Sequence, residues 1–286
     1  MAKLKQEALP WLFLVPSLAG TAVFMGFPFL DAVRRSFQDA MGVRFTGLKN
    51  YRAVWNNEAF RLAAGNTARF LALCIPLLMA VSLGLALVIT WRRKGAGNLR
   101  LVRTTLVLPM VVPAAAMVLI WRILLCPDGI LNQALTVVTG RLWETDWAFS
   151  GHAFSVLIAT YLWKHTGYDM ILWLAGLSGI PEELYEAARI DGAGLRQELI
   201  YITFPQLGGT AGLVGILSVV NSFRVYREAY LLAGSYPDSS IYLIPHLFAH
   251  WFLNLDIQKM TAAAVMMTAV FLLPVAAWKV TGGRRP

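Results

Sequence analysis

Several polar side chains stand inside stretches that are otherwise apolar, and their spacing limits what they can do. Tyr161, Lys164, His165, Tyr168 and Asp169 fall within nine residues of one apolar run. Tyr161 and His165, and His165 and Asp169, are four apart, so each pair can touch along one helix face. Ionisable groups at such depth avoid lipid and face a bundle interior or a wet cavity, which makes them pathway candidates. A proton relay through His165 and Asp169 is one chemistry this allows; an interhelical contact is the plainer one. A second group, Ser218, Asn221, Ser222 and Val225, recurs at i, i+3, i+4 and i+7 and draws a mostly polar stripe on an apolar helix. A hydroxyl-rich solute needs such donors and acceptors, with aromatic rings against its C–H faces, and Tyr168, Phe223 and Tyr226 are available for that role. The same stripe can instead only tie helices together. Arg224 and Glu228 are spaced to pair along the helix, whereas Lys164 with Arg224 would suit an anionic solute. His246 and His250 share a face but lack a third metal ligand.

The elements that must hold these groups follow from composition. The chain is 57% hydrophobic and 14% charged over 286 residues, too apolar for a soluble globular domain. Its net charge of +9 is scattered between apolar stretches and forms no single stripe, which argues against nucleic acid. Cys74 and Cys126 lie in or at the end of apolar runs and point to neither a disulfide framework nor a zinc site. Six apolar stretches are long enough to span a bilayer, roughly 9–30, 66–91, 104–126, 152–177, 206–232 and 259–280. The first is expected to stay as an anchor and not to be cleaved. An even count puts both termini on one side, and twelve Lys and Arg fall in the segments on that side against seven opposite, so the termini are expected to be cytoplasmic. Arg34, Arg35, Arg44, Lys49, Arg52 and Arg61 run against this bias, all within the external segment 31–65, where Asp31, Asp39 and Glu58 also lie. Around Trp55 and Phe60 that segment reads either as an amphipathic helix on the membrane surface or as a solvated loop. Pro109 and Pro113 predict a kink in the third span, and Gly208, Gly209, Gly212 and Gly215 predict a close-packing face on the fifth. The region 241–257 reads as an outer interfacial helix.

Residues 179–205 form a polar island between the fourth and fifth spans. Pro181, then Glu182 and Glu183, suit a helix start, and Gly192 and Gly194 suit its end. Leu184, Ala187, Ala188 and Asp191 fall on one face whose small residues permit close approach. A second short helix, 195–203, is expected to stop before Pro205, with Phe204 outside helical geometry.

Glu186, Ala187, Ala188, Gly192, Ile202, Phe204 and Pro205, at these spacings, resemble the EAA loop of ATP-binding-cassette importer permeases, with Phe204 where Leu is usual. The external Phe45, Gly47, Leu48, Asn50 and Tyr51, then Gly65, Asn66 and Thr67, resemble the carbohydrate-uptake branch of that family, the maltose and glycerol-3-phosphate type. So do Arg103, Pro109, Pro113, Trp121, Arg122, Gly129 and Asn132. In Ala233–Asp238 only Gly234 and Pro237 match the glycine run the family commonly has. The resemblance implies an all-α polytopic membrane protein with six transmembrane helices of type I importer architecture. It would comprise a cytoplasmic N-terminus (1–8), a first span (9–30), the external segment (31–65), a five-helix core (66–280) and a cytoplasmic tail (281–286). A cytoplasmic coupling helix carrying Glu186, Ala187, Ala188, Asp191 and Gly192 would meet the ATPase. Tyr161, Tyr168, Ser218, Asn221 and Ser222 would line the substrate pathway. The implied partners are a second permease subunit, two ATP-binding subunits that hold ATP and Mg, an extracytoplasmic sugar-binding protein and membrane lipid. No cofactor is implied in this chain. It has no Gly-x-x-x-x-Gly-Lys-Ser/Thr loop, so it should not hydrolyse ATP, and it lacks the nucleophile-elbow and His-Glu-x-x-His motifs of an enzyme. Glycerol phosphate, an acidic sugar or another solute class, and proton-coupled transport through His165 and Asp169, are the alternative readings.

Overall fold

A computed structural model describes residues 13–91 and 99–282, with side chains over 13–91 and 101–272. The cations Lys3, Lys5, Arg92, Arg93, Lys94, Arg284 and Arg285 lie outside the described residues, as does the segment 1–8. Among the described residues all regular structure is helical, apart from one isolated bridge between Gln38 and Phe45. The chain divides into two compact units, Met1–Arg61 with Leu247–Pro286, and Leu62–His246.

In the first unit, α1 (Phe13–Ser36) is long enough and apolar enough to cross a membrane, with Asp31, Arg34 and Arg35 confined to its last two turns. A π turn at Ala22–Gly26 interrupts it. Helix α2 (Lys49–Trp55) follows a short hairpin. That hairpin gives the external motif a physical reading. Asn50 Nδ2 donates to the carbonyls of Ser36 and Gln38, at 2.9 and 2.8 Å, and the Tyr51 hydroxyl lies 2.7 Å from the hydroxyl of fully buried Ser36. Phe45 stacks on Phe37 at 6.0 Å, and Gly47 takes φ +60°, which only glycine adopts without strain. Asp39 closes the turn by accepting from the backbone N–H of Val43 and Arg44, bonds that hold its carboxyl below the usual carboxylate range. Phe60 is buried and stacks on Trp251, whereas Trp55 stays exposed, so the two do not share one amphipathic face. The last helix, α13 (Ile257–Gly282), packs along α1 and α2.

The second unit is the polytopic bundle. Helix α3 (Glu58–Trp91) passes through Pro76 without a break. The third apolar stretch is broken rather than kinked. Helix α4 (Leu99–Val111) contains Pro109, but Pro113 takes φ −58° and ψ 138° and starts α5 (Ala114–Leu125) afresh. Pro113 removes an amide and disfavours helical geometry in Val112 before it, so two prolines four apart cost more than one bend. After α6 (Ile130–Thr139), α7 (Ala153–Ser178) forms the core of the unit. Its Met170, Trp173, Leu174 and Leu177 pack with Ala86 and Ile89 of α3 and with Leu207 and Val214. Higher on α7, Phe154, Leu157 and Tyr161 join Phe70, Cys74 and Leu78 of α3. The Trp173 indole donates to Ser82 at 3.0 Å and locks α7 to α3. Cys74 is thus a packing residue, and both cysteines are free thiols.

Helices α8 (Glu182–Ile190), α9 (residues 195–206), α10 (Gly208–Ser222) and α11 (Tyr226–Ala233) follow. Pro205 does not stop α9. Residues Glu198–Thr203 widen into a π turn, and Phe204 keeps φ −64° and ψ −43°, well inside helical space. A widened turn absorbs the hydrogen bond and ring clearance that proline would otherwise break. The closest helix approach also lies away from the expected glycine face. A Cβ added at Gly208, Gly209 or Gly212 would meet nothing within 4 Å, and one at Gly215 would only touch Met79. At Gly167 on α7 it would fall 1.8 Å from the carbonyl oxygen of Leu106 on α4. The loop after α11 is tied back to α3: Asn66 Nδ2 donates to the carbonyls of Ser239 and Tyr242, and Thr67 Oγ1 accepts from the Ile244 N–H. Helix α12 (Ile244–Leu253) runs on into the first unit, where it buries Leu247 and Trp251 and exposes Phe252 and Leu253.

Candidate functional site

Helix α8 begins at Glu182, with Pro181 as its non-helical N-cap and two glutamates in the first turn, where the helix dipole favours them. Its end is a Schellman motif. Gly192 N–H donates to the Arg189 carbonyl and Ala193 N–H to the Ala188 carbonyl, with Gly192 at φ +81°. Gly194 caps the next helix, its N–H donating to Gln197 Oε1 at 2.8 Å.

No residue of α8 is buried, yet the helix is firmly placed by bonds the sequence did not reveal. Arg189 donates through Nε and Nη2 to Glu198, at 2.7 and 3.3 Å, and the Glu198 side chain is 8% exposed. The hydrogen bond and charge of Glu198 push the guanidinium pKa above its already high value, with smaller contributions from Glu182 and Glu186. On the next turn the Tyr185 hydroxyl lies 3.0 Å from Thr203 Oγ1, which donates onward to the Glu198 carbonyl. These two ties fasten Tyr185 and Arg189 inward, with Ala188 half-buried between them. Glu186, Ala187, Leu184, Ile190 and Asp191 are left open, with Ile190 86% exposed. An exposed isoleucine on a fixed, small-faced helix was not foreseen; its place three residues after Ala187 is the signal that marks it. Replacing Arg189 with alanine is expected to loosen α8 alone. The pair is half exposed and correspondingly weak, so amide exchange over 182–193 should rise by a few-fold while the spans keep their protection. Unchanged exchange there would mean the pair does not hold the helix.

In the bundle interior the sequence-marked residues do come together, and most are already engaged. Tyr161 is 1% exposed and its hydroxyl donates to the Ser218 carbonyl at 2.8 Å. The Ser218 hydroxyl has two acceptors at 2.8 Å, Asp169 Oδ2 on α7 and the Val214 carbonyl of its own helix. Tyr161, Ser218 and Asp169 thereby bolt α7 to α10. The His165 ring packs against Tyr161 at 4.4 Å between ring centres, tilted by 36°. Its Nδ1 and the Asp169 Oδ1 are both buried without a partner, so no continuous hydrogen-bonded path joins His165 to Asp169 among the described residues. Glu228 pairs with Lys164 across helices, not with Arg224 along its own. Ser222 bonds the Val219 carbonyl and, with Thr67 and Phe70, lines a shallow recess between α3 and α10. Asn221 is 9% exposed and makes no side-chain hydrogen bond among the described residues, and Tyr168 is half-buried. His246 is buried against Tyr226, edge to face at 4.7 Å, and the described residues contain no cluster fit to hold a metal.

Comparison with known proteins gives this geometry a context. Residues 98–280 match the family described as binding-protein-dependent transport system inner membrane component. The arabinooligosaccharides transport system permease protein of Halalkalibacterium halodurans is 28% identical, over 97% of this chain and 89% of that protein. The lactose transport system permease protein of Rhizobium radiobacter is 29% identical over 77% of this chain and 74% of its own length. The sn-glycerol-3-phosphate transport system permease protein of Yersinia pestis is 29% identical over 91% and 88%. Among solved structures, a bacterial ABC transporter that imports the acidic polysaccharide alginate superposes with a TM-score of 0.79 over 99% of this chain and 98% of that one, at 21% identity.

Proposed function

We propose, because this chain belongs to the binding-protein-dependent transport system inner membrane components, that it is the permease subunit through which an ATP-driven importer passes a sugar or oligosaccharide. The observation that carries the reading is the family match over 98–280, which spans both the exposed α8 and the bundle interior. Several relatives are permeases for oligosaccharides or lactose. In this reading α8 meets an ATP-binding subunit through Glu186, Ala187, Ala188, Asp191 and Gly192. That subunit and its copy hold ATP and Mg, while α8 passes their closure through Arg189–Glu198 and Tyr185–Thr203 into α9 and α10. Both termini and α8 then lie on the cytoplasmic side, and an extracytoplasmic binding protein delivers solute opposite. The uncovered faces of Gly208, Gly209 and Gly212 suit close approach by a helix of a second permease subunit.

Within the pathway, Asn221 has unspent donors and acceptors for a sugar hydroxyl, with Ser222 next to it in the stripe and Tyr168 contributed by α7. Tyr161 and Ser218 serve the same pathway by holding α7 and α10 in register. Lys164 is neutralised by Glu228, which favours an uncharged carbohydrate. The anionic reading, such as glycerol phosphate or an acidic sugar, rests on Arg224 and Arg227, both exposed.

Replacing Asn221 with leucine, similar in size but apolar, is expected to cut uptake about tenfold through one or two lost hydrogen bonds. Hydrolysis driven by the partners alone should continue. Unchanged uptake would make Asn221 a helix tie only. The wider test is reconstitution with candidate partners and a panel of binding proteins and solutes. ATP hydrolysis should rise only with a binding protein carrying a carbohydrate; stimulation by another solute class would replace the substrate assignment.

A further inference from the structure

The external hairpin holds more cations and more exposed apolar surface than its own fold uses. Between 31 and 61 six basic residues face three acidic ones. Two of the acids are already spent, Asp31 on Arg35 at 2.7 Å and Asp39 on the backbone N–H groups of its own turn. Arg34, Arg44, Lys49 and Arg52 make no ion pair among the described residues. Interleaved with them are Met41, Val43, Phe45 and Trp55, exposed by 88%, 78%, 79% and 64%. Leu48 at the N-cap of α2 and Arg52 and Trp55 on it recur at i, i+4 and i+7 and are all exposed, so apolar side chains and a cation lie side by side there.

The position of this surface is fixed by its anchors. Met41 lies five residues beyond the end of α1, within about 18 Å of it even if the chain were fully extended. The hairpin folds back, with Thr46 N–H donating to the Phe37 carbonyl at 2.7 Å. Gln258 Nε2 holds the Ala40 carbonyl at 3.1 Å, so the start of α13 grips the same hairpin. The surface therefore sits beside the ends of two helices that carry long apolar stretches, residues 13–30 of α1 and Ile257–Leu272 of α13. Aromatic and aliphatic side chains mixed with Lys and Arg are the chemistry of an interface with anionic lipid.

We propose that the hairpin 37–48 and α2 form a lipid-binding surface that inserts Met41, Val43, Phe45 and Trp55 among anionic phospholipid headgroups and neutralises them with Arg44, Lys49 and Arg52. This gives a use to the cations that oppose the charge bias of the chain. It does not depend on what is transported.

Nitroxide labels placed through Phe45→Cys and Trp55→Cys, in the full chain with Cys126→Ser, report depth. Nanodiscs of phosphatidylcholine alone are compared with phosphatidylcholine mixed with phosphatidylglycerol. In the anionic discs both labels should be more accessible to lipid-soluble oxygen than to a water-soluble nickel complex. Insertion should weaken about fivefold for each charge lost, in neutral discs or after Arg44→Glu, Lys49→Glu and Arg52→Glu. The lipid comparison stands by itself if the triple variant does not insert. Nickel access that is high and equal in both lipids overturns the proposal, as does burial indifferent to lipid charge. Protection that appears only when a substrate-binding protein is added also overturns it and makes the surface a protein-docking site.

Discussion

Glu186→Lys and Gly192→Asp are each expected to leave the protein inserted at normal abundance and to reduce uptake at least tenfold. The reason for the first half is that α8 buries none of its residues, so changes on its open side remove no core contact. The reason for the second is that the helix is held at two points and offers one face. Glu186 is exposed on that face beside Ala187, and a lysine there reverses the charge that, in the proposed reading, meets an ATP-binding subunit. At Gly192 the backbone stands at φ +81°, where a side chain costs about 1–2 kcal/mol even with open space around it. An aspartate also sets negative charge against the negative end of the helix dipole, so the Schellman turn unwinds before the bundle does. Uptake in reconstituted vesicles, read beside ATP hydrolysis, checks both variants. Normal uptake in both would falsify the assignment of α8 as the coupling helix.

Gly167→Ala is expected to be the most damaging single-methyl change in the second unit. The added carbon would lie 1.8 Å from the Leu106 carbonyl oxygen, 2.3 Å from its carbonyl carbon and 2.8 Å from the Val107 nitrogen. All three are backbone atoms, so no rotamer change relieves the overlap and α4 must move off α7. Overpacking of this kind costs about 3 kcal/mol, roughly 6–12 °C in the melting temperature of a unit this size. Gly212→Ala is the control. Its new methyl meets nothing, and replacing a mid-helix glycine gains about 0.5–1 kcal/mol in the isolated chain. A melting temperature unchanged by Gly167→Ala would show that α4 and α7 are not packed backbone to side chain.

The contrast between these glycines shows what was legible in the sequence. Apolar length alone located the stretches that become α1, α3, the α4–α5 pair, α7, the α10–α11 pair and α13 as helices, because a long apolar run satisfies its own backbone that way; among the described residues four helices are long and apolar enough to cross a membrane. The acidic start and Gly192 end of α8 were equally plain, since caps are local chemistry. Partners across elements were not. Glycine spacing pointed to Gly208–Gly215, but the tight approach is at Gly167, a lone glycine among His165, Tyr168 and Asp169. Spacing along one helix offered Arg224 to Glu228, while the fold brought Lys164 to it from α7. Tyr185 and Thr203 are eighteen positions apart and meet only because Gly192 and Gly194 reverse the chain between them. Pro205 was misread because a local rule for proline takes no account of a wider turn before it.

That wider turn leaves the path from α8 to α10 with stored length. A π turn carries one residue beyond the ordinary winding, so recovering the tighter pitch over 198–203 advances everything past it by about 1.5 Å and rotates it by about 100°. The connection between α8 and α10 thus holds one residue in reserve, and a displacement at its near end has somewhere to go without the chain unwinding.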